Sequence, residues 1–415
     1  MRRPLWPERL YVDFDSFFAS AEQYLEPALR GRPVGVLPVD SPNTALIAAS
    51  VEAKRAGVRG IMRRDEAEAA CPGIVLRVAR PDAYVALHHR IRKCLEAHVE
   101  VLAVRSIDEA VARLMANEAA RARDLGEEIK RDFAATFAPC LSLSIGVAAN
   151  ELLAKIAAEM DKPNGLRVLL PGDLPEALAH LPLRDIPGIS KGMEQRLHDA
   201  GVRDFPGLWA LAPKHARKLW GGVQGERFVA ALHGYAIEQP VTQKRMFGHG
   251  RVLPPDWRTP ERMLVCARVL LVKAARRLRR EGYLASSLTV SVRPHGGAGL
   301  AVTHAFAAAR DDHTFIRALD TAFAVWRANA PPGKTKSVSV TLHGLSLLSQ
   351  RQGELFADLP DVSAERWERV SDIKDQLQAR YGGNSLHIGE ALELPGGYAG
   401  GKIAFGRIPH ELDFL

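Results

Sequence analysis

Ser106-Ile107-Asp108-Glu109-Ala110 places two carboxylates side by side behind the apolar run Val101-Leu102-Ala103-Val104. A strand alternates its side chains between faces, so the pair can share one site only if the strand ends or bends there. Taken alone, such a pair between apolar segments is commonly a solvated turn. A second stretch changes the reading. Leu10-Tyr11-Val12-Asp13-Phe14-Asp15-Ser16-Phe17-Phe18 is also a short apolar strand running into carboxylates. Laid side by side, the two strands bring Asp13 against Asp108 and Glu109. Buried carboxylates are costly unless they are paired or bind a metal. Three of them at adjacent strand ends suit two divalent cations, with room left for substrate phosphates, and Mg²⁺ favours that mixture over an all-protein cage. Two such ions can stabilise both the attacking and the leaving oxygen of an in-line displacement.

The chain that must position these groups has 415 residues, 47% of them hydrophobic and 25% charged. That composition is ordinary for a soluble protein of several domains. A formal net charge of +8 makes a polyanionic partner plausible. Cys71, Cys94, Cys140 and Cys266 are scattered without a Cys-x-x-Cys pair, which argues against zinc and against a disulfide framework. The N-terminal Met1-Arg2-Arg3-Pro4-Leu5-Trp6 lacks the apolar region of a signal peptide, and no apolar run approaches a membrane span. The expected setting is the cytoplasm, with no membrane partner.

Spacing predicts a helix over Ser16 to Leu25, and a strong amphipathic helix over Pro81 to Val99 with Tyr84, Leu87, Ile91 and Leu95 on one face. Further helices are expected over Asn117 to Phe137 and Glu151 to Met160, with a buried strand over Leu141 to Val147 between them. After a linker near Glu238 to Lys244, the pattern is strand, helix, strand, strand, helix, strand up to Leu342. The helix over Pro260 to Gly282 carries Lys273, Arg276, Arg277, Arg279 and Arg280, which could meet phosphates. A last helix is expected over Ala364 to Tyr381.

The order of motifs resembles the Y-family of lesion-bypass DNA polymerases. The residues that carry the resemblance are Asp13-Phe14-Asp15-Ser16-Phe17-Phe18, Glu52-Ala53-Lys54, Gly57-Val58-Arg59, Ser106-Ile107-Asp108-Glu109-Ala110, Ser144-Ile145-Gly146-Val147-Ala148 and Lys162-Pro163-Asn164-Gly165. The resemblance implies an α+β multidomain fold shaped as a right-hand polymerase. Its parts would be a palm (1–16 and 81–168), small fingers (17–80), a helical thumb with a helix-hairpin-helix (169–238), a linker (239–245), a βαββαβ little finger (246–348) and a C-terminal tail (349–415). It implies a template-directed DNA polymerase acting on primer-template DNA and deoxynucleoside triphosphates, working as a monomer.

In that reading Asp13, Asp108 and Glu109 are catalytic and, with the carbonyl of Phe14, hold two Mg²⁺ ions. Phe17, Phe18, Lys54 and Lys162 bind the nucleotide, with Phe18 as the gate against a ribose 2′-hydroxyl. Gly188, Ser190 and Lys191 offer a helix-hairpin-helix turn to a DNA phosphate. Gln352, Leu355 and Phe356 resemble a peptide that docks on a sliding clamp. Several positions depart from the commonest family pattern: Ala48, Val51, Glu151, Ser190 and Gly353. The losses at Ala48 and Val51 keep open a catalytically weak scaffold that binds DNA and the clamp. Another palm-type enzyme, such as a nucleotide cyclase, would explain the carboxylates but leave the later domains without a role.

Overall fold

In the segment Arg9 to Phe14 apolar and functional side chains alternate, and a strand sends such alternating residues to opposite faces. Both faces are covered, because every residue from Leu10 to Phe14 is buried. A computed structural model of the chain describes residues 1–42, 44–238, 243–296, 298–331, 334–351, 362–382, 385–386 and 408. It divides into two compact units, the second starting at Val241.

The first unit begins with β1 (Arg9–Phe14) and α1 (Phe17–Leu25), then β2 (Val34–Leu37), β3 (Ala48–Ala49), α2 (Val51–Arg55), α3 (Arg64–Ala70) and β4 (Val75–Val78). It continues through α4 (Pro81–Glu96), β5 (Glu100–Val104), β6 (Glu109–Arg113), α5 (Ala116–Ala120), α6 (Ala122–Phe137), β7 (Leu143–Ala148), α7 (Glu151–Met160) and β8 (Leu166–Val168). Four helices close it: α8 (Lys191–Asp199), α9 (Phe205–Trp209), α10 (Pro213–Trp220) and α11 (Val223–Leu232).

The main sheet has the order β5-β6-β1-β7-β8, with β1 at its centre. The Tyr11 side of β1 shares an apolar cluster with α7 and the closing helices, through Leu153, Ile156, Phe205 and Leu232. On the opposite side the Phe14 ring meets Phe133 of α6 and Phe17 of α1. α7 lies so close on β7 that a side chain at Gly146 would meet the carbonyl of Ala154 at 2.0 Å. That contact explains the glycine of Ser144-Ile145-Gly146-Val147-Ala148. A smaller sheet, β3-β2-β4, packs its own core around Leu37, Leu46, Ala53 and Val58.

Two sequence expectations need correction. The long helix expected over Asn117 to Phe137 is two helices that break at Arg121. The strand beside β1 is β6, which begins at Glu109 of the Asp-Glu pair, rather than β5, which precedes the pair. The short alanine-rich stretch Glu109–Arg113 is a weak strand signal, and pairing on both sides overrides that weakness.

The second unit runs β9 (Phe247–Val252), α12 (Pro260–Arg280), β10 (Tyr283–Pro294), β11 (Leu300–Ala309), α13 (Asp312–Ala328), β12 (Thr335–His343), β13 (Ser346–Leu347) and α14 (Val362–Tyr381). Its sheet has the order β11-β10-β12-β9, with β13 pairing β10. α12 and α13 bury Leu270, Leu278, Phe315 and Trp326 against it. The basic face of α12 is not wholly free for phosphates. Arg279 is buried and donates to Asp312 (2.9 Å) and Asp375 (2.7 and 3.0 Å). Lys374 of α14 also pairs with Asp312. Among the described residues no helix is long and apolar enough to cross a membrane.

Removing Asp312 leaves two buried cations, Arg279 and Lys374, to share the one remaining acid, Asp375. Asp312→Ala is expected to destabilise the second unit by about 3–5 kcal/mol. Urea unfolding that shows no loss would contradict the network's structural role.

Candidate active site

Pairing register brings the acids together. β1 lies antiparallel between β6 and β7, which sets Asp13 opposite Glu109 on one side and Ser144 on the other. Asp108 occupies the turn just before β6, and its carbonyl accepts from the amide of Phe14 at 2.9 Å. The turn is closed by the amide of Arg105, which donates to the carbonyl of Glu109 at 2.9 Å. α4 holds it from behind: Nδ1–H of buried His88 donates to the carbonyl of Ile107 at 2.8 Å.

Carboxylate oxygens of Asp13, Glu109 and Glu159 lie within 4.8 Å of one another. Asp108 is not in that group, and its carboxylate accepts from Ser106 Oγ. The same hydroxyl reaches Glu109 Oε2 at 3.3 Å. Two ammonium groups already answer the negative charge. Lys162 Nζ lies 2.7 Å from Asp13 Oδ1 and 2.9 Å from Glu159 Oε1, and Lys155 pairs with Glu109. Burial pushes Asp13 up to about 8, and the opposing pull of Lys162 does not restore it. Burial likewise raises Asp108. At Glu109 burial acts upward too, but Lys155, Tyr11 and Asp13 outweigh it and hold the carboxyl below its usual value.

The donor set is oxygen alone, the hard set that suits Mg²⁺ rather than a thiolate-loving metal. An ammonium lodged between Asp13 and Glu159 shows that the pocket accepts a cation. The residues present therefore fit a divalent ion.

Asp15 anchors the turn that delivers Lys162. Its buried carboxylate accepts from Ser142 Oγ (2.8 Å), Ser144 Oγ (2.9 Å) and the amide of Asn164 (2.7 Å). Gly165 in turn donates its amide to Ser144 Oγ at 3.2 Å. Beyond β1, α1 begins at Phe17, so the amides of Phe17 and Phe18 stand in its first turn. The Phe18 ring packs on Tyr84 at 5.0 Å, and Tyr84 O–H donates to buried Glu22 at 2.6 Å. Arg80 pairs with the same carboxylate.

The remaining sequence candidates lie apart. Lys54 is exposed on α2, and among the described residues no hydrogen bond or ion pair joins it to the carboxylates. Gly188, Ser190 and Lys191 are exposed before and at the start of α8. Gly188 has φ +96°, which favours glycine, and Ser190 caps α8 by accepting from the amide of Met193. Gln352, Leu355 and Phe356 lie outside the described residues. Sequence reasoning passed over Glu159, Lys155 and Asp15. The first two are spaced i, i+4 on one face of α7, a signal available but unspecific. Glu151, a departure from the family pattern, pairs with Arg105 through both oxygens.

Comparison with known proteins finds the impB/mucB/samB family over residues 12–159, its C-terminal domain over 244–355 and the IMS family HHH motif over 171–202. A DNA polymerase IV of Moorella thermoacetica is 32% identical over 410 residues, covering 95% of this chain and 98% of that protein. A DNA polymerase IV of Alkalilimnicola ehrlichii is 32% identical over 69% of this chain and 81% of its own. Among solved structures, a Y-family DNA polymerase chimera matches 82% of this chain and 99% of its own at TM-score 0.69 and 23% identity. An insertion ternary complex of Dbh DNA polymerase matches at TM-score 0.56 and 24% identity, over 82% of this chain and 99% of its own.

Asp15→Ala would leave two hydroxyls and one amide without their shared acceptor. The expected cost is about 2–4 kcal/mol, with faster hydrogen exchange at residues 161–165. Unchanged stability and unchanged exchange there would contradict the anchoring role.

Proposed function

The chain belongs to the impB/mucB/samB family, and we propose that it is a template-directed Y-family DNA polymerase extending primers across damaged templates. The observation that carries this reading is the register that seats Asp13 opposite Glu109, beside the Asp108 turn. In nucleotidyl transfer a primer 3′-hydroxyl attacks the α-phosphate of a deoxynucleoside triphosphate, and pyrophosphate leaves. Asp13, Asp108, Glu109 and the carbonyl of Phe14 would hold two Mg²⁺ ions. When bound, the ions supply a lowered hydroxyl pKa and a counter-charge for the phosphates.

The protein's own groups do the rest. Ser106 and Lys155 restrain the acid pair. Lys162, now paired with Asp13, is placed to turn its ammonium to the triphosphate, and Asp13 would then be available to hold an ion. First-turn amides of α1, at Phe17 and Phe18, suit the same phosphates. Lys54 adds a point charge from α2. The Phe18 ring, backed by Tyr84, lies against the sugar and rejects a 2′-hydroxyl. Regions 1–16 and 81–168 act as palm, 17–80 as fingers, 169–238 as thumb and 246–348 as little finger. The turn at Gly188, Ser190 and Lys191 holds a DNA phosphate. Gln352, Leu355 and Phe356 tether the enzyme to a sliding clamp. It works as a monomer in the cytoplasm.

Primer extension with Mg²⁺ tests the reading. The unmutated protein should add deoxynucleotides opposite template bases, and Asp108→Ala with Glu109→Ala should abolish it. No extension by the unmutated protein would favour a DNA-binding scaffold. Phe18→Ala should raise ribonucleotide incorporation by at least about tenfold. An unchanged ratio of the two sugars would remove Phe18 from the gate.

A further inference from the structure

Asn150 is only 6% exposed, yet its side-chain amide is engaged at both ends. Its oxygen accepts from the amide of Leu153 at 3.0 Å and so caps the start of α7. Its nitrogen donates to the carbonyls of Ala231 (2.7 Å) and Tyr235 (2.9 Å), at and just beyond the end of α11. Both ends matter. α7 carries Lys155 and Glu159 and leads into Lys162, whereas α11 is the last helix of the bundle that presents the Gly188 turn.

We propose that Asn150 is a positioning residue that fixes this bundle against the helix serving the catalytic acids. Its action on DNA rests on the polymerase reading above. The apolar cluster of Leu153, Ile156, Phe205 and Leu232 presses the two parts together, but burial is non-directional. The two donated hydrogen bonds supply direction. A carboxamide is suited to the task because it joins an acceptor and a two-hydrogen donor on one short stem. Asp would keep the cap but face two carbonyls with negative charge. Ala would lose both functions. A second tie lies alongside, where Ala236 donates its amide to the carbonyl of Arg2 at 2.8 Å. That tie is backbone only, so side-chain substitution at Asn150 leaves it in place.

The bundle is therefore held at one angle to the acids by a group that touches neither substrate nor ion. Loosening it should weaken the grip on the duplex while leaving the chemistry of a correctly bound primer nearly intact.

The test compares Asn150→Asp and Asn150→Ala with the parent full chain. Hydrogen exchange is measured without DNA, and residence on a primer-template and single-nucleotide insertion are measured with it. In Asn150→Asp, exchange across Val223–Leu232 should accelerate by at least about tenfold, with the amide of Leu153 still protected. In Asn150→Ala, Leu153 should accelerate as well. With DNA, Asn150→Asp should shorten residence and raise the KM for primer-template severalfold, with kcat at saturating DNA changed far less. Unchanged exchange at α11 in Asn150→Asp overturns the tie. Altered exchange with unchanged residence and KM, or an equal fall in kcat, overturns the positioning role. Failure of the parent to extend any primer would strike the polymerase reading instead, and the DNA-free exchange pattern would still decide the tie.

Discussion

Negative charge crowded into a poorly hydrated place is the constraint on which the rest of the first unit depends. β1 carries Asp13 through the middle of a sheet, with Asp108 and Glu109 on its flank, and that burial is costly unless the acids are paired, hydrogen-bonded or protonated. The protein supplies two ammonium groups, Lys162 on Asp13 and Lys155 on Glu109, and still Asp13 stays far above an ordinary carboxyl in pKa. Oxygens of three acids gathered around two ammonium groups are the arrangement that the proposed two-ion chemistry would use.

The surrounding fold serves that arrangement. α7 must lie against the sheet for Lys155 to reach Glu109, and Gly146 allows it by removing the side chain that would collide with Ala154. Asp15 pins the Lys162 turn to β1 by bonding three donors at once. His88 and Ser106 brace the Asp108 turn from two directions. Buried Glu22 and Tyr84, with Arg80 pairing to Glu22 from the surface, form a polar support beside the Phe18 ring. The braces at Asp15, Glu22 and His88 use polar side chains in the interior, an expensive choice that makes sense where orientation matters more than stability.

Much of this was legible beforehand. Carboxylates after apolar runs, in a fixed order along the chain, pointed to a metal centre and to a family. The βαββαβ order of the second unit followed from its alternating periodicity. What stayed hidden had physical reasons. β6 is short and alanine-rich, so its strand character comes from its neighbours rather than from its residues. Arg279 sits among basic residues that look solvated, and only tertiary contact with Asp312 and Asp375 turns it inward. Glu159 is one of many helix acids until the turn at Lys162 folds back on it. Two departures from the family pattern gained a local explanation: Ser190 caps α8, and Glu151 pairs with Arg105. Ala48 and Val51 gained none.

The most direct test is crystallographic. The protein would be crystallised with primer-template, a non-hydrolysable deoxynucleoside triphosphate and Mn²⁺, and the ions located by their anomalous scattering. The expected map has two peaks within coordination distance of Asp13, flanked by Asp108 and Glu109, with Lys162 displaced from Asp13 toward the phosphates. A map with no peak at Asp13, and Lys162 still bound to it while nucleotide and primer are in place, would contradict the account.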